Sequence, residues 1–207
     1  MSQPIVERVA EDISFRLEHP IVELEASGRH VHLSRADADI LFGPGVPLVP
    51  ARELSQPGQF TCTERVGVVG PKGRFSGLVI IGPERSMSQI ELSATDAVIL
   101  GVDPPVRLSG ALEGTPGITL VGPAGTVEVS SGVMIAKRHI HMHPSFGERY
   151  GIADRQVVSV RVWGERGVTF SNVVVRCQPD FATYMHIDRD EANACGFRPG
   201  LLGTIII

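Results

Sequence analysis

Lysine is nearly missing from this 207-residue chain: Lys72 and Lys137 are the only two, so almost all positive charge is arginine. Arginine suits bidentate phosphate recognition, although genomic composition produces the same bias and is the first explanation. The basic residues are scattered singly, aromatics make up 5% of the chain and the formal charge is -4. A basic stripe interleaved with aromatics is therefore lacking, which argues against a nucleic-acid binder. Cysteine is sparse too. Cys62, Cys177 and Cys195 are odd in number and contain no CxxC pair, so neither a disulfide framework nor a thiolate zinc site is expected, and the compartment is expected to be reducing. Buried structural thiols are the better reading of Cys62 and Cys195 than nucleophiles. No apolar run is long enough to span a bilayer. The N-terminal stretch lacks the basic and apolar regions of a signal peptide. No Gly-x-Gly-x-x-Gly or Walker loop follows a strand, and no Ser-His-Asp or Cys-His signature is visible.

What the chain does contain is Arg-His-x-His, twice: Arg29-His30-Val31-His32 and Arg138-His139-Ile140-His141, which together use four of the seven histidines. Composition alone would give roughly 0.02 copies, so duplication or shared chemistry is implied. A β-branched residue separates each pair, which reads as a strand, where residues two apart leave the same face and can hold one metal ion. A single His-x-His is more often a surface or hydrogen-bonded pair than a metal site. Two copies with the same flanks reverse that preference.

Aligning the chain on itself reveals four related units. His32-Leu33-Ser34 leads through Asp37 to Gly43, and Glu91-Leu92-Ser93 through Asp96 to Gly101. His141-Met142-His143 leads to Gly151, and His186-Ile187-Asp188 through Glu191 to Gly196. Each unit reads as strand, helix N-cap, short helix and glycine terminator, with Ser34, Ser93 and Asp188 as caps and an acid three residues later closing a capping box. Pro144 and Gly147 predict a short or distorted helix in the third copy. The lead positions are His32, Glu91, His141 and His186, all able to bind metal. Two positions earlier stand His30 and His139, but Gln89 and Tyr184 in the other two units. The simplest assignment is two three-ligand sets: His30, His32 and Glu91 for one metal, and His139, His141 and His186 for the other. Three protein ligands with open positions is how catalytic zinc is held, and imidazole with carboxylate suits a first-row divalent ion.

Further strands are expected at 22–25, 65–69, 78–82, 118–121, 126–130, 156–162, 168–176 and 204–207, joined by turn pairs such as Gly70-Pro71 and Gly122-Pro123. Many short strands with a few short helices predict a mainly β protein: two small β-barrels capped by helices and related by internal duplication. At the N-terminus Val6, Val9, Ile13 and Leu17 follow a helical period, and His19-Pro20 would end that helix. It packs on its own domain or docks a partner; the pattern suits both.

Three stretches carry a family likeness. Ser27-Gly28-Arg29-His30-Val31-His32-Leu33-Ser34, then Arg85-Ser86-Met87-Ser88-Gln89-Ile90-Glu91-Leu92-Ser93 with Asp96-Ala97 and Pro105-Val106-Arg107, then Arg138-His139-Ile140-His141-Met142, resemble the PduL-type phosphotransacylases, or phosphate propanoyltransferases. The likeness runs from about Pro20 to Ile207. It implies an enzyme that interconverts short-chain acyl-CoA, propanoyl-CoA or acetyl-CoA, plus phosphate with acyl phosphate plus CoA. It also implies a lumenal setting in bacterial microcompartments, such as those of propanediol degradation, or else the cytoplasm, and a homo-oligomer, as a dimer. Its fold would place an active site with two divalent metal ions, normally zinc, between two β-barrels: residues 18–28 plus 137–207, discontinuous because the first strand joins the C-terminal half, and residues 29–136. Residues 1–17 would form an amphipathic segment for encapsulation, meeting shell or core proteins. The resemblance implies the same six ligands, Arg85 as the catalytic and phosphate-binding arginine, and Asn193 as a contact for CoA.

Attack of phosphate on a thioester needs no covalent acyl-enzyme, in keeping with the missing nucleophile signatures. Two other readings stay open: a dimetal hydrolase of thioesters or phosphoesters, in which a metal-bound water attacks, and a metal-stapled structural module.

Overall fold

A computed structural model describes residues 4–207, without the side chains of residues 8–10, 12 and 16. Residues 1–3 of the expected N-terminal segment and the side chain of Val9 thus lie outside the described residues. The chain begins with helix α1 (Ile5–Glu18), β1 (Ile21–Ala26), β2 (His30–His32), α2 (Arg35–Phe42), β3 (Pro50–Glu53), β4 (Phe60–Val69), β5 (Arg74–Gly82), β6 (Gln89–Leu92) and α3 (Ala94–Leu100). It continues through β7 (Val106–Arg107), β8 (Ile118–Val121), β9 (Thr126–Val129), β10 (Val133–Ala136), β11 (His139–Met142), α4 (Pro144–Tyr150), β12 (Val157–Val162), β13 (Thr169–Cys177), β14 (Tyr184–Ile187), α5 (Arg189–Cys195) and β15 (Leu202–Ile206).

These elements pack as two units. One comprises the segment up to Glu25, Arg138–His186 and Ala192–Ile207; the other comprises Ala26–Lys137 and Ile187–Glu191. In the first, six strands close a barrel in the order β1-β14-β11-β13-β12-β15. β1 pairs antiparallel with β15, Val22 opposite Gly203, so the first strand of the chain completes a barrel of C-terminal strands. In the second, nine strands form a curled half-barrel in the order β7-β10-β6-β2-β5-β4-β8-β9, with β3 added beside β4. The mainly β expectation with short helices holds. The second unit differs from a closed barrel in that its path ends at β7, beside β10, and at β9, beside β8, without those two strands pairing.

The duplication is visible in the pairing. β2 lies between β5, parallel, and β6, antiparallel. β11 lies likewise between β13, parallel, and β14, antiparallel. Each of the four helices that follow these site strands starts on a cap. Ser34 accepts from the Asp37 N–H, Ser93 and Asp96 form a complete capping box, and Asp188 and Glu191 bond reciprocally at 3.0 and 2.8 Å. In the third copy His143 is the cap and Pro144 sits at the first helical turn, where its missing N–H costs nothing. The expected shortening there is not seen, since α4 has seven residues, as do α3 and α5. Gly147 belongs in α4 because a Cβ there would lie 2.6 Å from the Ile152 carbonyl oxygen. Gly101, Gly151 and Gly196 are left-handed as expected, but Gly43, one residue further along its unit, has φ 109° and ψ 148° and ends α2 without that conformation.

Strand alternation decides which face each residue takes. Val31, Ile90 and Leu92 enter the core of the second unit, with Ile80 and Leu120, all at most 2% exposed. In the barrel unit Ile140, Met142 and Met185 are buried in the same way. At roughly 1.5–3 kcal/mol per fully buried aliphatic side chain, this burial locks the register. A slip of one residue would turn the histidines into the core and the aliphatics out.

Candidate functional site

The register that buries these aliphatics gathers the polar residues between them. In the second unit His30 lies opposite Glu91 and His32 opposite Gln89. In the barrel unit His139 lies opposite His186 and His141 opposite Tyr184. The two predicted triplets, His30, His32 and Glu91, and His139, His141 and His186, are each assembled, with their ligand-type atoms within 4.8 Å of one another. In the first, His30 Nε2 is 3.5 Å from Glu91 Oε2 and His32 Nε2 is 3.8 Å from Glu91 Oε1. In the second, the ring centroids form a triangle: 4.7 Å from His139 to His141, 5.1 Å from His139 to His186, and 4.7 Å from His141 to His186. His186 Nδ1 is also 3.6 Å from a Glu25 carboxylate oxygen.

Hydrogen bonds behind the first triplet orient its imidazoles. His30 Nδ1 is 2.9 Å from the Gly28 carbonyl and His32 Nδ1 is 3.1 Å from the Ile81 carbonyl. A carbonyl only accepts, so each Nδ1 carries a proton and each Nε2 is the ring nitrogen left facing Glu91. Burial holds His32 far below the ordinary imidazole range, at about 3, with His30 and Arg85 acting in the same direction. His186 is likewise pushed well down by burial, then by His139, His141 and Arg176. For Glu91 burial works against ionisation, but His30, His32, a hydrogen bond from Ser109 and the charge of Arg85 outweigh it, so its carboxyl lies below the usual value. With His32 held neutral and Glu91 ionised, two imidazole Nε2 atoms and a carboxylate make a donor set that suits a divalent cation.

The arginines of the two motifs act as struts. Arg29 donates twice to Asp96, at 3.0 and 2.7 Å, and lies 4.0 Å over the Phe75 ring, tying β2 to the capping box of α3. Arg138 donates to the Ser171 carbonyl at 2.7 Å and lies over Phe170.

Arg85 is held at both ends. Its backbone N–H donates to the Leu33 carbonyl at 2.9 Å, just beyond His32, and its guanidinium donates to Ser109 Oγ at 3.1 Å. Its charge reaches both His32 and Glu91. Asn193 is on α5 with its side chain exposed. Cys62 and Cys195 are buried, and burial first, then Glu64 and Glu84, pushes the Cys62 thiol up to about 11, so neither is placed as a nucleophile.

Sequence reading passed over several neighbours. Ser109, in the loop between β7 and β8, donates to Glu91 Oε1 at 2.9 Å, and Gln89 donates to the same oxygen. Gln89 had a signal, since it stands where the first and third repeat units have His30 and His139; Ser109 had none, being brought in by a loop. In the barrel unit Phe181 packs on His141 with centroids 4.1 Å apart, and Arg176 lies over Phe181.

Known proteins resemble this chain along most of its length. The family model for phosphate propanoyltransferase matches residues 23–198. The chain is 54% identical over 202 residues to the phosphate propanoyltransferase of Enterococcus faecalis, covering 98% of this chain and 95% of that protein. It is 50% identical over 207 residues to that of Listeria monocytogenes, covering 100% and 97%, and 48% identical over 203 residues to that of Thermotoga maritima, covering 98% and 97%. Matches of this length and identity leave one assignment, and the chain belongs to the phosphate propanoyltransferase family of phosphate acyltransferases.

Proposed function

We propose that this enzyme transfers a short acyl group, propanoyl or acetyl, between CoA and phosphate, and that the two triplets each hold a zinc ion for that reaction. The observation that carries the metal assignment is the first triplet, where carbonyls hold both Nδ1 atoms so that two Nε2 atoms and a carboxylate converge. Divalent ions bound by these residues supply Lewis acidity, polarising the thioester carbonyl, offsetting phosphate charge and stabilising the thiolate of departing CoA.

The chain's own residues have separate tasks. Arg85 offers a planar, permanently charged fork to phosphate oxygens, and the Leu33 and Ser109 bonds keep it in place. A phosphate oxygen bonds to the carbonyl carbon while the C–S bond breaks, its electron pair leaving on sulfur. No side-chain nucleophile is consumed. Asn193, exposed on α5, is the proposed CoA contact. On α1 the side chains of Ile5, Val6, Ile13 and Leu17 are exposed, which supports a docking role toward microcompartment proteins for this segment. A homodimer and a lumenal location follow from the same resemblance.

Steady-state release of CoA from propanoyl-CoA tests the proposal. Release is expected to require phosphate, to stop on chelation and to return with zinc. Full turnover in metal-free enzyme would overturn the metal assignment. CoA release that proceeds without phosphate would make the protein a dimetal hydrolase instead.

A further inference from the structure

Ser109 makes three hydrogen bonds that use everything its hydroxyl has. Arg85 Nη1 donates to it at 3.1 Å, Gln89 Nε2 donates to it at 2.8 Å, and it lies 2.9 Å from Glu91 Oε1. Guanidinium and amide N–H groups only donate, so both lone pairs of Ser109 are taken and its single proton has to point at the carboxylate. The hydroxyl thus has one orientation. Gln89 completes the arrangement: its Nε2 also donates to Glu91 Oε1, and its Oε1 accepts the Gly110 N–H at 2.8 Å. One amide therefore clamps both the carboxylate and the backbone of the loop that carries Ser109. Gln89 is 1% exposed. The other end of Arg85 is fastened as firmly, because Ser34 forms a β-bridge with it, the Ser34 N–H donates to Ser88 Oγ at 2.9 Å, and Ser88 donates to Asp37.

We infer that Ser109 is a positioning residue that couples the phosphate-binding arginine to the metal-binding carboxylate, with Gln89 as the clamp that holds it there. The inference rests on the reading of Arg85 as phosphate anchor and Glu91 as ligand. Through Ser109, the direction of the guanidinium fork and the rotation of the Glu91 carboxylate are set by the same oxygen. Oε1 is occupied by Ser109 and Gln89, which turns Oε2 toward His30. A loop residue thereby ties phosphate binding to metal retention, and neither function is a direct contact of the serine.

Two measurements on the zinc-loaded full chain test this. In Ser109→Ala, the KM for phosphate should rise about tenfold, the size expected for one hydrogen bond to a charged group, while the KM for propanoyl-CoA stays within about twofold. Competition with a chromogenic chelator, which needs no turnover, should show about tenfold weaker retention of one zinc in Ser109→Ala and in Gln89→Leu. Ser109→Thr keeps the hydroxyl and should restore both. In an Arg85→Ala background, Ser109→Ala should change the phosphate KM no further, because it acts through that arginine. Parallel changes in both KM values, an additive effect on Arg85→Ala, or a threonine variant as impaired as alanine would overturn the coupling. An Arg85→Ala enzyme with an unchanged phosphate KM would instead overturn the anchor reading beneath it.

Discussion

Each polar residue of the site is defined by what lies behind it. His30 and His32 are both buried with Nδ1 tied to a carbonyl, which aims each Nε2 at Glu91. The same burial predicts how the metal-free protein responds to acid. Unfolded, His32 takes its proton near 6.5, whereas folded it does so only near 3. Between those values the unfolded chain binds more protons, so the stabilisation from His32 is complete above pH 6.5 and is lost as pH falls toward 3. Thermal melts of chelator-stripped protein should show the midpoint falling below pH 6.5, with a flatter slope in His32→Gln. Cys62 gives a simpler outcome. With its thiol buried and pushed up to about 11, it should resist alkylation at pH 8 in the folded state and react on denaturation, as read by mass spectrometry. None of these shifts was legible in the chain. Residue type and spacing named the candidate triplets, but burial, which spacing does not encode, sets the protonation of His32.

Among the elements, the capped helices and the Gly-Pro turns carry the most testable energy. Ser93 accepts from the Asp96 N–H while Asp96 accepts from the Ser93 N–H, and Arg29 holds the same aspartate. Ser93→Ala should therefore cost about 1 kcal/mol or somewhat more in urea unfolding, because it opens a box that also anchors the first histidine strand. Two hairpin turns, Gly70-Pro71-Lys72-Gly73 and Gly122-Pro123-Ala124-Gly125, end against helices. The Lys72 N–H donates to the Leu100 carbonyl at the end of α3, and the Ala124 N–H donates to the Leu41 carbonyl near the end of α2, both at 3.0 Å. A Cβ at Gly122 would sit 2.3 Å from the Leu41 carbonyl oxygen. Gly122→Ala is expected to destabilise by about 1–3 kcal/mol, with the midpoint of denaturant unfolding as the readout. The turns were legible as dipeptides. Their service as helix ends was not, because the partner helix is distant in sequence.

For the whole molecule, two units that each assemble one triplet predict a stoichiometry. Native protein should carry two zinc equivalents by elemental analysis, Glu91→Ala one, His139→Ala one, and the double variant none. Four ions or a single ion would refute two independent triplets. The N-terminal helix stands apart in composition of contacts: Leu17 accepts hydrogen bonds from Arg149 and Tyr150, and Phe15 meets Trp163, while Ile5, Val6, Ile13 and Leu17 keep exposed apolar surface. Removing residues 1–18 should leave kcat within about twofold, and the helix should prove dispensable for zinc content. Among the described residues no helix is long and apolar enough to cross a membrane.

By itself the sequence determined the two triplets, the capped helices and the mainly β character. These follow from local rules, the period of a strand, the chemistry of a cap and the repetition of both. Only the tertiary structure decided that one duplicate closes into a barrel while the other stays open, since closure requires the first and last strands of a sheet to pair, and strand periodicity does not say which strands will meet. It also decided that Ser109 reaches Arg85 and Glu91, because a loop residue with no periodic signal is placed by the hydrogen bonds of Gln89 and not by its own neighbours in the chain.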